Sequence, residues 1–137
     1  MALKFIVDTS VATRVGNERV RAVVRALLLA GEVARTSIVD LEIGNQARNS
    51  SEWNTLLDAV ASFPLIETNE AHIKRALQVQ RILAERSQRG RKVPDFLIAA
   101  VAEQMDLTVL HYDADFEIIA AATGQQVQWV VPPGEVS

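Results

Sequence analysis

The chain of 137 residues contains no cysteine. That excludes a disulfide framework, a thiolate zinc site, an iron–sulfur site and a thiol nucleophile. Aromatic residues make up only 5%, too few for a single-strand binder that works by stacking bases. The longest apolar run, Phe96 to Ala102, has seven residues, against the ~18–20 that cross a bilayer. The short apolar stretch near the N-terminus is interrupted by Asp8, and no small-residue cleavage site follows it. These absences predict a cytoplasmic protein with no membrane attachment. Neither a G-x-x-x-x-G-K-[ST] phosphate loop nor a G-x-S-x-G nucleophile elbow occurs.

Basic charge is also missing from one end. From Val93 to Ser137 there is no Lys or Arg, but there are seven acids: Asp95, Glu103, Asp106, Asp113, Asp115, Glu117 and Glu135. Just before this region, Lys74 to Lys92 holds seven basic residues and a single acid, Glu85. Such asymmetry points to a polyanion or a cation as partner.

What is present fits one ordinary globular domain, with 49% hydrophobic and 23% charged residues. Residues 1–131 are expected to form it, with 132–137 a frayed tail. Short apolar runs at Leu3–Val7, Val33–Thr36, Phe63–Ile66, Leu107–Leu110 and Val127–Val131 read as buried strands. Between them, helical patterns cover Arg19–Ala30, Ser37 to about Gln46, Glu52–Ala61, Glu70–Arg86, Asp95–Gln104 and Phe116–Ala122. Ser37 is expected to cap its helix, with Asp40 completing a capping-box-like pair. Pro94 suits a helix start, and Gly124 a helix end. The alternation predicts a three-layer α/β/α sandwich around a short-stranded, mainly parallel sheet.

In such a sheet, ligands bind beyond the carboxyl ends of the strands. Asp8 follows the first strand, Asp113 and Asp115 follow the fourth, Glu42 lies early in a helix, and Asp95 opens another. All five are placed to face one crevice. Gathered carboxylates repel one another unless a cation joins them. With no cysteine and only two histidines, the donor set suits a hard, oxygen-seeking ion, Mg²⁺ or Mn²⁺. Ions held this way activate water and stabilise charge in phosphodiester hydrolysis. The basic stretch containing Arg86, Arg89, Arg91 and Lys92 leads into Asp95, which suits contacts to a phosphate backbone. His72 and His111 are assigned structural or solvent-facing places, and Trp53 and Trp129 packing or interface roles.

At this point a family resemblance becomes specific. Phe5-Ile6-Val7-Asp8-Thr9-Ser10, Thr36-Ser37-Ile38-Val39-Asp40-Leu41-Glu42, Pro94-Asp95-Phe96-Leu97-Ile98-Ala99-Ala100 and Leu110-His111-Tyr112-Asp113-Ala114-Asp115-Phe116 together resemble the PIN-domain nucleases. Within that family they resemble the VapC-type toxins of toxin–antitoxin pairs. The resemblance implies a Mg²⁺- or Mn²⁺-dependent endoribonuclease acting on structured RNA of the tRNA or rRNA class, which makes the phosphate backbone met by Arg86, Arg89, Arg91 and Lys92 that of RNA. It implies catalytic roles for Asp8, Glu42, Asp95 and Asp113, metal ligation by Asp8, Asp95, Asp113 and Asp115, and a supporting hydroxyl at Thr9 or Ser10 that orients Asp8. It also implies a homodimer and a cognate antitoxin. A non-catalytic PIN-like binding domain is the alternative, and it predicts missing acids where none is missing. A phospho-acceptor receiver needs a late lysine, and none follows Lys92. A phosphatase of the Asp-x-Asp type needs that pair after the first strand, where Asp8-Thr9-Ser10 stands instead.

Overall fold

The computed structural model describes residues 2–137. Its elements in chain order are β1 (Phe5–Val7), α1 (Thr9–Ala12), α2 (Glu18–Leu29), β2 (Val33–Thr36), α3 (Ser37–Gly44) and α4 (Ser50–Val60). They continue with β3 (Leu65–Ile66), α5 (Glu70–Glu85), α6 (Val93–Gln104), β4 (Thr108–His111), α7 (Asp115–Thr123) and β5 (Val127–Trp129). The strands form one parallel sheet in the order β3-β2-β1-β4-β5. The α/β fold is therefore the one the alternating pattern predicts. No helix among the described residues is long and apolar enough to cross a membrane.

The order explains where a site forms. From β1 the chain moves outward to β2 and β3, then returns across the sheet to β4 and β5. Right-handed crossovers send helices to opposite faces for the two directions. The reversal falls between β1 and β4, so their carboxyl ends diverge and open a crevice there. Helix α6 packs on both strands. It is apolar nearly all round, with Phe96, Ile98, Ala99, Ala100, Val101 and Ala102 buried, as a helix enclosed by protein must be. The core continues through Ile6, Val7, Val109, Leu110, Phe116 and Ile119.

Four local expectations are corrected. Asp8-Thr9-Ser10, expected from its place after the first strand to be a turn, starts the short helix α1, and Asp8 accepts the Ser10 N–H as its N-cap. The pair Ser37–Asp40 does not form a capping box. Thr36 takes the N-cap position, Asp40 is bound by the guanidinium of Arg35 at 2.7 Å, and the Ser37 hydroxyl reaches Glu67. Asp95 does not open its helix, because Lys92 holds the N-cap position and Asp95 lies in the first turn.

The last correction concerns residues 132–137, which are docked rather than frayed. The Tyr112 hydroxyl donates to the Val136 carbonyl at 2.8 Å and accepts from the Gly134 and Val136 N–H groups. Arg19 pairs with Glu135. A single buried-edge phenol thus satisfies several backbone groups that a free tail leaves to water.

Candidate active site

The crevice beyond β1 and β4 has a volume of about 220 Å³ and is lined by Asp8, Glu42, Asp95 and Asp113, together with Thr9, Ser10, Thr13, Arg14, Gln46, Lys92 and Tyr112. The four acids expected to be catalytic therefore meet in one place. Four elements deliver them. Asp8 sits at the end of β1, Asp113 at the end of β4, and α3 and α6 bring Glu42 and Asp95 from the flanks. Ser10 ties the two strand ends together, since its Oγ accepts the Tyr112 N–H at 2.8 Å.

Each acid has its own environment. Asp8 is buried, with one oxygen bound by the Ser10 N–H at 2.9 Å. Its other oxygen, Oδ1, is buried with no hydrogen-bond partner among the described residues. Burial pushes its carboxyl above the usual range, against the lowering effect of hydrogen bonding from Ser10. Asp95 is also buried, and its Oδ2 has no hydrogen-bond partner, the Lys92 Nζ standing off at 3.8 Å. Burial, with Asp8 adding repulsion, pushes its pKa up to about 8.

Asp113 behaves in the opposite way. Burial again works to raise its pKa, but the Lys92 ammonium and the Asp115 N–H outweigh it and hold the carboxyl below its ordinary value. Asp115 pairs with Arg91 at 2.9 Å. Glu42 accepts the Thr9 hydroxyl at 2.6 Å.

Oxygens of Asp95, Asp113 and Asp115 lie within 4.8 Å of one another. Asp8 lines the same crevice but lies outside that group. The fit to a divalent cation can be judged from the donors themselves. All are hard carboxylate oxygens, three converge, and two buried oxygens facing this region lack partners. Buried charges of this kind are costly unless paired or bound to metal, and Mg²⁺ and Mn²⁺ take such ligands. The residues fit the ion.

Of the two residues expected to support Asp8, Ser10 does so and Thr9 does not. Thr9 orients Glu42, not Asp8, while Ser10 holds Asp8 through its backbone N–H. The basic residues also divide. Lys92 lines the crevice and binds Asp113, and Arg91 is spent on Asp115. Arg86 donates to the Ala121 carbonyl at 3.3 Å, and Arg89 lies with Leu77 and Phe96 in a separate surface depression.

Sequence patterns missed other neighbours. Arg14, Thr13 and Gln46 line the crevice, yet nothing in their local spacing marks them. His111 is a positioning residue. Its Nδ1 accepts the Asp113 N–H at 3.1 Å and its Nε2 lies 3.0 Å from Glu117. Burial lowers its pKa against the pull of Glu117, and Phe116 and Trp129 enclose the ring. The assignments of His111 and Trp129 to packing thus agree with their places. His72 is buried in a capping box with Asn69. Trp53 closes over Gly44, where a Cβ would lie 2.6 Å from the indole nitrogen.

The carboxylate-lined crevice at this switch point is one a metal-dependent hydrolase can use, and the sequence matches the PIN domain over residues 5–122; the chain belongs to that family. Within it the chain is of the VapC type. It is 57% identical to Ribonuclease VapC51 of Mycobacterium tuberculosis over 136 residues, covering 99% of both chains. It is 40% identical to Ribonuclease VapC21 of the same species, covering 98% of this chain and 99% of the other. Among solved structures, DNA-bound VapBC from Salmonella typhimurium superposes with a TM-score of 0.76 at 20% identity, covering 94% of this chain and 99% of that one.

Proposed function

We propose that this chain is a divalent-metal-dependent endoribonuclease that acts as the toxin of a toxin–antitoxin pair. Its substrate is structured RNA of the tRNA or rRNA class. One observation carries the chemistry: four acids from separate segments line one crevice, and two of their buried oxygens have no partner among the described residues. Full-length identity to two proteins named as VapC ribonucleases supports the reading.

Asp95, Asp113 and Asp115 would hold the cation, with Asp8 lining the same crevice. When bound, Mg²⁺ or Mn²⁺ supplies the Lewis acidity that makes water nucleophilic at neutral pH and stabilises charge at phosphorus. The chain's residues provide the rest. Glu42, fixed through Oε1 by Thr9, has Oε2 available to accept a proton from the attacking water. Water oxygen bonds to phosphorus, the P–O3′ bond breaks with its electron pair on O3′, and O3′ takes a proton from solvent while Glu42 later returns its own to solvent, leaving a 5′-phosphate and a 3′-hydroxyl. His111 and Ser10 act at one remove, by fixing the loop of Asp113 and the junction of the two strand ends. A cognate antitoxin restrains the activity, and the protein works as a homodimer in the cytoplasm.

The test is cleavage of tRNA and rRNA by purified protein, with Mg²⁺ or Mn²⁺ and with EDTA. Cleavage with either ion, abolished by EDTA and by Asp95→Asn, is expected. Undiminished cleavage in EDTA overturns the metal mechanism.

A further inference from the structure

We infer that Arg14 is a phosphate-contact residue of the crevice and that the Gly134–Ser137 segment holds it in place. This rests on the reading of the crevice as an RNA site. The acids that line it repel a polyanion, so a substrate backbone needs positive charge nearby. Among the described residues, two cations line the crevice, Lys92 and Arg14. Lys92 spends its charge on Asp113, with Asp95 at 3.8 Å. Arg14 pairs with no Asp or Glu side chain among the described residues.

Two main-chain oxygens and an aromatic ring fix its guanidinium instead, one oxygen being that of Ser137, the last residue of the sequence. Nη1 donates to the Ser10 carbonyl at 2.7 Å, Nε donates to the Ser137 main-chain oxygen at 3.1 Å, and the group lies over the Tyr112 ring, 5.0 Å from its centroid. Nη2 makes no hydrogen bond among the described residues. A half-buried, planar cation is thus oriented on two sides with a donor to spare, the form that suits phosphate recognition. The anchors come from both sides of the site. Ser10 belongs to α1, while Tyr112 follows β4 and grips the Gly134–Val136 backbone through its hydroxyl. Ordering that segment therefore orders Arg14.

The experiment measures binding of fluorescein-labelled bulk tRNA at several salt concentrations, in an Asp95→Asn background so that RNA is not cut. Adding Arg14→Gln is expected to weaken binding about fivefold or more and to reduce the log–log salt slope by roughly 0.7–0.9, one phosphate contact. Arg14→Lys keeps the slope but loses part of the affinity, because an ammonium keeps the charge without the fork. Tyr112→Phe, which releases the tail, weakens binding less and leaves the slope unchanged. If Arg14→Gln is folded and matches its parent in affinity and slope, the inference is overturned. If Arg14→Gln fails to fold, Arg14→Lys decides, and affinity equal to the parent overturns it. If the parent itself does not bind tRNA, the RNA reading falls first.

Discussion

The crevice has two unlike flanks. On the β1 side, Asp8 and Glu42 are held by the neutral groups of Ser10 and Thr9. On the β4 side, Asp113 and Asp115 carry counter-ions of their own, Lys92 and Arg91. Asp95 sits between, close enough to feel Lys92 but not bonded to it. Identical chemistry thus titrates in opposite directions across one small cavity: Asp8 and Asp95 upward, Asp113 downward. The difference teaches that Lys92 favours the ionised form of Asp113, whereas burial disfavours it at Asp8 and Asp95, where a nearby cation would favour it again.

The sharpest way to break the contrast is to remove an acid from the bare flank. Asp8→Asn should lower RNA cleavage in Mg²⁺ at least about 100-fold while circular dichroism stays native, since lost electrostatic stabilisation of this kind costs on the order of 10²–10³ in rate. Cleavage within tenfold of the parent counts against a role for Asp8.

Removing the counter-ion should blur the flanks in the other direction. Lys92→Met takes a competing charge from Asp113 and Asp95, so Mn²⁺ binding, followed by calorimetry, should tighten about three- to tenfold. The figure is well below the bare Coulomb energy because Lys92 is largely exposed. Unchanged affinity makes Lys92 a bystander.

The centre gives a pH signature. Asp95 has a folded-state pKa raised to about 8, so between its ordinary value and 8 the folded state binds more protons than the unfolded one. Stability then falls as pH rises through that window. In EDTA, Asp95→Asn should raise the melting temperature at pH 8 by a few degrees, because about 1 kcal/mol moves a domain of this size by roughly 2–8 °C. At pH 4 the gain should nearly vanish. A gain independent of pH contradicts the assignment.

The smallest effect belongs to a residue on neither flank. Arg89→Ala should change tRNA affinity less than about twofold, since the side chain lies outside the crevice. A loss of tenfold brings the whole basic stretch back as an RNA surface.

Much of this was legible in the residues. The strands announce themselves by short β-branched runs, and the four crevice acids stand at their ends or early in the next helix. Local pattern fails where partners lie far apart in the chain. Ser37 and Asp40 have the spacing of a cap, but Arg35 claims Asp40. Arg91 and Lys92 look like a free basic loop until β4 brings Asp115 and Asp113 against them. Arg14 has no signal, because its place depends on Tyr112 and on Ser137 at the other end of the chain. Residues 132–137 look frayed for the same reason: the phenol that captures them is not a neighbour in sequence.

The ion pairs on the β4 side also bear on the order of events during biosynthesis. Lysine and arginine already quiet the most crowded carboxylates, so the polypeptide can reach its native shape before any magnesium arrives. A divalent ion at this site would be loaded into finished architecture, and stripping it with a chelator should be reversible without refolding.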